Sequence, residues 1–413
     1  MAAAPEVGTI LHFPRHVKYW RRNLKTHLPT YYTENDTNRM MLAFFTLSAE
    51  EILGDLDAAL SPEERQGYID WIYHCQLPEG GFRSSPATDL GTARDDKNAV
   101  WDPPELSGTF GALLSLAILG DDLQRVKRKG ILRWLSAMQR PDGSFGQILE
   151  DYGRPPEGGY DPRFCYMAAG IRWILRSNVE GPVEGVPDID VDKLVQCIRE
   201  RETYNGGIAA APFREAHAGY TSCAISALSL VDRLPLQSSQ PPDTRLRGLT
   251  KPHLTLRWLV SRQTLTLDND DAIDTHGEEA SLSATYCSGS PPSDSAIPEL
   301  PWVGINGRCC KIADTCYSYY VCTSLHILGH LDLVNAKPIR RWLLDRTQHL
   351  VLGGFGKTPG DYPDILHAYL GLFTLALFGE PGLRPVWAPL SISQRVKEHI
   401  ESLPWRKQVA SYA

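Results

Sequence analysis

The chain lacks any uninterrupted apolar run of about eighteen residues, the length that would signal a membrane span. It also lacks positive charge to spare. Its 42 Lys and Arg stand against 49 Asp and Glu, and the net charge of −7 argues against nucleic acid as the main partner. Cysteines number nine, an odd count with irregular spacing, and Met1 to Gly8 lacks the charged and apolar regions of a secretory signal. Reduced thiols and a cytoplasmic protein are therefore expected. Strand signals are nearly absent. What is present is ordinary globular composition, 42% hydrophobic and 22% charged over 413 residues, enough for one large domain or two to three smaller ones.

An internal repeat sets the architecture. Tyr68 to Gln76 contains Trp71 and is followed by Gly80-Gly81-Phe82. Ile131 to Gln139 contains Trp134 and is followed by Gly143-Ser144-Phe145. Lys193 to Arg201 is a weaker copy anchored at Gln196, and Thr255 to Gln263 carries Trp258. The four anchors lie 62 or 63 residues apart, and Trp342, in Ile339 to Gln348, comes 84 further on. The polar stretch Asp268 to Pro301 more than accounts for the excess and reads as a flexible insert. More apolar helices follow the turns at Gly108–Leu119, Phe164–Leu175, Tyr220–Val231, Cys316–Leu328 and Leu366–Phe378. Two further helices, His16–His27 and Asn38–Leu56, precede the repeat. Apolar helices buried on both sides belong in an inner layer and the Trp-bearing ones in an outer layer. About six pairs closing in a ring give an all-α fold, an α–α toroid with a central apolar cavity; an open solenoid is the alternative. The expected division is a mobile segment over 1–15, one barrel domain over 16–390 with the insert at 268–301, and a C-terminal helix or tail over 391–413.

The chemistry concentrates in Gly307 to Tyr320. Asp314 and Cys316, brought together where the chain turns into a helix, offer a hard oxygen and a soft sulfur, which suits Zn²⁺. An Asp that merely caps a helix holding a buried Cys is the ordinary alternative. His367 opens the next apolar helix, at the same end of the barrel, and would complete three ligands with one open position, the pattern of a catalytic zinc. Arg308 and Lys311 suit a phosphate or diphosphate. His217 opens another inner helix at that end and could join them with Tyr317. Arg163 stands at an equivalent place. Phe45, Phe110 and Tyr166 on inner helices would line an apolar tunnel.

These residues resemble the β subunits of protein prenyltransferases, zinc enzymes that attach isoprenoids to a cysteine near a protein's C-terminus. The resemblance runs from about His16 to about Pro381, and the motif Gly-Arg-x-x-Lys-x-x-Asp-x-Cys-Tyr-Ser falls on Gly307 to Ser318 without a gap. It implies zinc on Asp314, Cys316 and His367, diphosphate on His217, Arg308, Lys311 and Tyr317, and an α–α barrel. Segments such as His16-Val17-Lys18-Tyr19 and Pro363 to Tyr369 look most like the geranylgeranyltransferase type I branch. The resemblance implies geranylgeranyl diphosphate as donor, CaaX proteins such as Rho-type GTPases as acceptors, and an α subunit as heterodimer partner. Met41 stands where farnesyl-specific relatives carry Trp and geranylgeranyl-specific ones Thr. With Phe45, Phe110, Arg163, Tyr166 and Tyr320 (a Trp in most of the family) it makes the expected isoprenoid pocket. Glu105 and Ser107, where the family has His and Ala, make the expected peptide pocket with Leu366. Lys357 takes the place of an Asp associated with magnesium in the farnesyl branch, so zinc but not Mg²⁺ is expected. A farnesyl-transferring β subunit, a toroidal terpene cyclase using Asp268-Asn269-Asp270-Asp271, and a non-catalytic helical scaffold are the competing readings.

Overall fold

The computed structural model describes residues 10–149, 156–179, 181–234, 248–265 and 301–406. Most of the 268–301 insert, including Asp268-Asn269-Asp270-Asp271, lies outside the described residues, as do 1–9 and 407–413. Among the described residues, twelve helices form two layers. The outer ones are α1 (Phe13–Lys25), α3 (Pro62–His74), α5 (Arg128–Ala137), α7 (Val191–Arg199), α9 (Pro252–Val260) and α11 (Ala336–Trp342). The inner ones are α2 (Arg39–Ile52), α4 (Leu106–Ile118), α6 (Pro162–Arg176), α8 (Ala218–Leu230), α10 (Thr315–Ile327) and α12 (Ile365–Leu377). A last helix, α13 (Gln394–Ser402), follows.

Each inner helix packs on the next, and α12 returns onto α2, so the ring is closed and the open solenoid is excluded. Phe45 of α2 and Tyr369 of α12 meet across that seam with ring centroids 5.2 Å apart. Inner helices are buried almost all round, as their composition demands: in α4 every residue but Ser107 is buried.

The repeat's glutamine explains how the outer ring holds. After five of the six outer helices a side-chain oxygen accepts the backbone N–H just ahead of the next one: Gln76 from Lys127 at 2.7 Å, Gln139 from Asp190 at 2.7 Å, Gln263 from Asn335 at 2.9 Å, and Gln348 from His12 at 2.9 Å. Glu202 does the same for Thr250 at 2.8 Å. These donors would otherwise be orphaned at helix starts. The last bond closes the circle and orders the beginning of the chain. The mobile reading of residues 1–15 is thereby corrected from residue 10 on: Leu11 is buried and the first helix starts at Phe13. His16 completes the seam, accepting from the Gly354 N–H through Nδ1 and bonding Gln348 through Nε2 at 3.0 Å. Burial lowers this imidazole to about 4, so it stays neutral.

The glycine turns follow from close approach. Gly143 has φ +84°, and a Cβ there would fall 2.0 Å from the Lys193 carbonyl oxygen. The apolar residue after each turn, Phe82, Phe145, Ile208 or Phe355, is fully buried. Two sequence expectations shift by one residue. Gln196 is exposed, and Cys197, buried and five residues before Glu202, occupies the Trp position of the third copy. Trp342 precedes Gln348 by six residues because a π-helical turn over Leu343–Thr347 absorbs one extra. After Gln263 no glycine turn follows; Gln263-Thr264 pairs antiparallel with Gly304-Ile305 instead.

The C-terminal end of the ring is stoppered. Strands Val386–Trp387 and Ile392–Ser393 pair, and the turn between them enters the lumen. Ser391, left-handed at φ +57°, hydrogen-bonds the hydroxyls of Tyr319 and Tyr369, with Tyr166 Oη at 3.4 Å. Leu390 and Ile392 are fully buried. The expected boundary after residue 390 falls inside this stopper, which belongs to the barrel.

Candidate functional site

All six inner helices begin at the opposite, open end. Met40 N–H donates to the Ser84 carbonyl at 2.9 Å, Leu106 N–H to Gln147, and Ala218 N–H to Gly307 at 3.0 Å, lacing their starts together. Six positive helix ends therefore face one mouth, a setting that favours anions. The half-buried residues of the inner helices gather in their first turns here, among them Met41, Phe45, Tyr166, Tyr317 and Tyr320.

Asp314 caps α10, accepting from the Cys316 N–H at 2.8 Å. That capping bond folds the carboxylate back over the first turn, beside the Cys316 thiol. Asp364 caps α12 and fixes His367 twice, taking its backbone N–H at 2.9 Å and its Nδ1 at 2.6 Å. Nδ1 thus carries a proton toward Asp364 and Nε2 is turned to Asp314 Oδ1, 3.4 Å away. One donor atom each from Asp314, Cys316 and His367 all lie within 4.8 Å of one another, the one such cluster of three among the described residues. Oxygen, sulfur and imidazole nitrogen, with the second nitrogen held by a carboxylate, fit zinc. So the cap reading of Asp314 and the ligand reading are compatible: the capping bond sets the carboxylate beside the other two donor atoms.

Burial pulls the His367 imidazole down, but bonds to Asp314 and Asp364 outweigh it and hold it at about 9. Burial raises Asp314, and His367 and Cys316 more than reverse this, leaving it below the usual carboxylate range. The Cys316 thiol is pushed well up, first by burial and then by Asp314, while the charge of Lys357 opposes this. Lys357 is exposed, and its carbonyl accepts from the Thr315 N–H at 3.0 Å, which sets it at the first turn of α10.

Next to the cluster is a chain of donors. The Gly219 N–H donates to His217 Nδ1 at 3.0 Å, so Nε2 carries the proton, and Nε2 lies 3.2 Å from Tyr317 Oη. Burial, then Arg308, lowers His217, and burial raises the Tyr317 phenol to about 12; both groups stay neutral donors. Arg308 pairs with Glu215 at 3.3 Å, and Lys311 is exposed in the same turn. Gly307 is required because a Cβ there would lie 2.1 Å from the Tyr317 ring.

The remaining expected residues divide. Phe45 stacks near Tyr369, and Met41 lies with Sδ about 3.0 Å from where a Cβ on Gly111 would stand. Tyr166 packs on Phe110 at 5.2 Å, and Phe110 itself is 2% exposed, so it backs the wall. Tyr320 packs on Tyr319 at 5.1 Å. Arg163 is held by both oxygens of Asp161 at 2.8 Å and lies over the Tyr220 ring. Glu105 accepts from the Ser84 N–H and from Gln147, Ser107 faces Ser84, and Leu366 is exposed at the mouth. The sequence reading missed Asp364, whose signal was its place three residues before His367, and Ser391, which carried none.

The family model described as the prenyltransferase alpha-alpha toroid domain matches residues 11–398. The beta subunit of geranylgeranyl transferase type-1 from Dictyostelium discoideum is 28% identical over 96% of this chain and 100% of its own. Its Arabidopsis thaliana counterpart is 28% identical over 92% and 88%, and the protein farnesyltransferase beta subunit of Schizosaccharomyces pombe is 26% identical over 88% and 78%. The solved structure of Candida albicans protein geranylgeranyltransferase-I complexed with GGPP superposes with a TM-score of 0.75 at 27% identity, covering 95% of this chain and 98% of that one. With its closed ring and its triad of candidate metal donors beside a cationic mouth, the chain belongs to the prenyltransferase alpha-alpha toroid family and is a beta subunit of the geranylgeranyltransferase type I kind.

Proposed function

We propose that the chain is the catalytic subunit of a heterodimer that transfers a geranylgeranyl group from geranylgeranyl diphosphate to the cysteine of a C-terminal CaaX motif, of the kind ending in Leu, on small GTPases such as Rho-type proteins in the cytoplasm. The observation that carries this is adjacency: Cys316, in the triad, and Tyr317, in the donor chain, are consecutive residues. Asp314, Cys316 and His367 would hold zinc, which supplies the Lewis acidity that favours a thiolate on the acceptor cysteine. Arg308, Lys311, His217 and Tyr317 stabilise charge on the departing diphosphate, the two neutral groups as hydrogen-bond donors and the two cations directly. Met41, Phe45, Tyr166 and Tyr320, with Phe110 behind them, shelter the lipid, and Arg163 covers its diphosphate end. Glu105, Ser107 and Leu366 border the peptide. Exposed Trp101, Tyr204, Phe213 and Tyr362 give a partner subunit apolar ground.

Lys357 supplies the positive charge that a magnesium ion would otherwise bring, and an ammonium repels a divalent cation. Metal analysis of the purified heterodimer, with transfer to a CaaX peptide assayed across a magnesium titration at constant zinc, tests the whole. One zinc per chain and a flat magnesium response are expected, with Lys357→Asp less active and newly magnesium-dependent. Absence of bound zinc would remove the metal assignment; a large wild-type rise with magnesium would remove the role of Lys357.

A further inference from the structure

Of the eight cysteines among the described residues, five are buried and Cys223 is intermediate; Cys309 and Cys310 are exposed. They are consecutive, and they separate Arg308 from Lys311. The turn is built to display them. Cys310 has φ +57°, a left-handed backbone that a residue with a Cβ adopts rarely and at a cost. Cys309 Sγ is held from below by Arg262, whose Nη2 donates to it at 3.4 Å. That guanidinium is itself buried, 5% exposed, and lies over the Trp258 ring at 4.8 Å. Arg262 thus holds one of two accessible sulfurs, and Arg308 and Lys311 flank the pair along the chain.

We infer that Cys309–Cys310 is a thiol-modification site for small anionic disulfides, and that the adduct closes the cationic mouth. The step is thiol–disulfide exchange. A cysteine sulfur attacks one sulfur of the disulfide, a new S–S bond forms as the old one breaks, and the other half leaves as a thiolate that takes up the cysteine's proton. Nothing is oxidised beyond what the incoming disulfide already carries. The neighbouring cations attract an anionic reagent over a neutral one. Once attached, its carboxylates compete for Arg308 and Lys311, and its bulk stands where a diphosphate would approach. The effect on lipid binding rests on the function proposed above; the modification itself does not.

Glutathione disulfide is the probe, with neutral 2-hydroxyethyl disulfide as control, on the intact heterodimer. Peptide mass mapping should find a glutathionyl group within residues 309–310, forming several-fold faster than the neutral adduct. Affinity for geranylgeranyl diphosphate should fall about tenfold, the loss of roughly one charge-assisted hydrogen bond, and dithiothreitol should restore it. Cys309→Ser/Cys310→Ser should bind the lipid like the unmodified wild type and be indifferent to the probe. Single variants show which sulfur reacts. No adduct at these residues, or an adduct that leaves affinity unchanged, overturns the inference. If the untreated protein binds no isoprenoid diphosphate, the functional reading fails instead, while the mass shift still decides the modification.

Discussion

At the open end of the ring, Met41, Phe45, Tyr166, Tyr317 and Tyr320 keep part of their surface exposed, and cations stand at the mouth. At the other end Leu390 and Ile392 are fully buried, and the hydroxyls of Tyr319 and Tyr369 end on Ser391. The same helices serve both ends. Their starts offer unpaired N–H groups and a positive dipole, so polar ligating side chains are useful there as caps. Toward their C-terminal ends the stopper and its apolar neighbours fill the lumen. The difference teaches that the polar, half-buried side chains of this fold gather at one rim, which predicts that stability can be altered from the other without touching chemistry.

The largest effect should come from breaking the triad. His367→Ala should lose the metal and lower the transfer rate by about a thousandfold, several kcal/mol of lost activation. Asp364→Ala should keep all three ligands yet weaken metal affinity by roughly 10–100-fold, read by chelator competition; unchanged affinity would deny Asp364 its orienting part. Arg308→Ala should retain zinc and slow transfer about a hundredfold, which single-turnover assays separate from metal loss. Leu390→Ala sharpens the contrast from the other end: about 2–5 kcal/mol of stability should go, by denaturant unfolding, with metal content intact.

Glu50, near the C-terminal end of α2, has both carboxyl oxygens buried without a partner. Burial, then Asp55, pushes it up to about 8. A folded-state value above the unfolded one means that stability is present at low pH and drains away as pH rises toward 8. Glu50→Gln, neutral at every pH, should therefore raise Tm at about pH 9 and leave it nearly unchanged at about pH 5. The reverse pattern would show a charged, compensated Glu50. The smallest change is expected of Met41→Trp, which should shift the ratio of catalytic efficiencies toward farnesyl by roughly tenfold. Methionine yields space where an indole cannot, and an unchanged ratio would place the end of the lipid cavity elsewhere.

Much of the site was legible because it is local. Gly307 to Ser318 carries two candidate ligands, two cations and a phenol in twelve residues. His367 was legible through the repeat, since equivalent helix starts share a rim. Asp364 was hidden in plain view: a capping Asp is so common that its second duty, holding Nδ1, shows only when the imidazole is seen beside it. The third copy misled by one residue because Cys197 fills a Trp position, and a small apolar residue makes no pattern.

The sequence by itself determined the all-α class, the two layers and the grouping of Asp314 with Cys316, because helical periodicity, glycine turns and short spacings are written residue by residue. Only the tertiary structure decided that the ring closes, that a side chain at the end of five outer helices holds the start of the next, and that Ser391 enters the lumen. Those depend on partners as far apart as His12 and Gln348. No local pattern encodes such contacts; they exist only once the circle is complete.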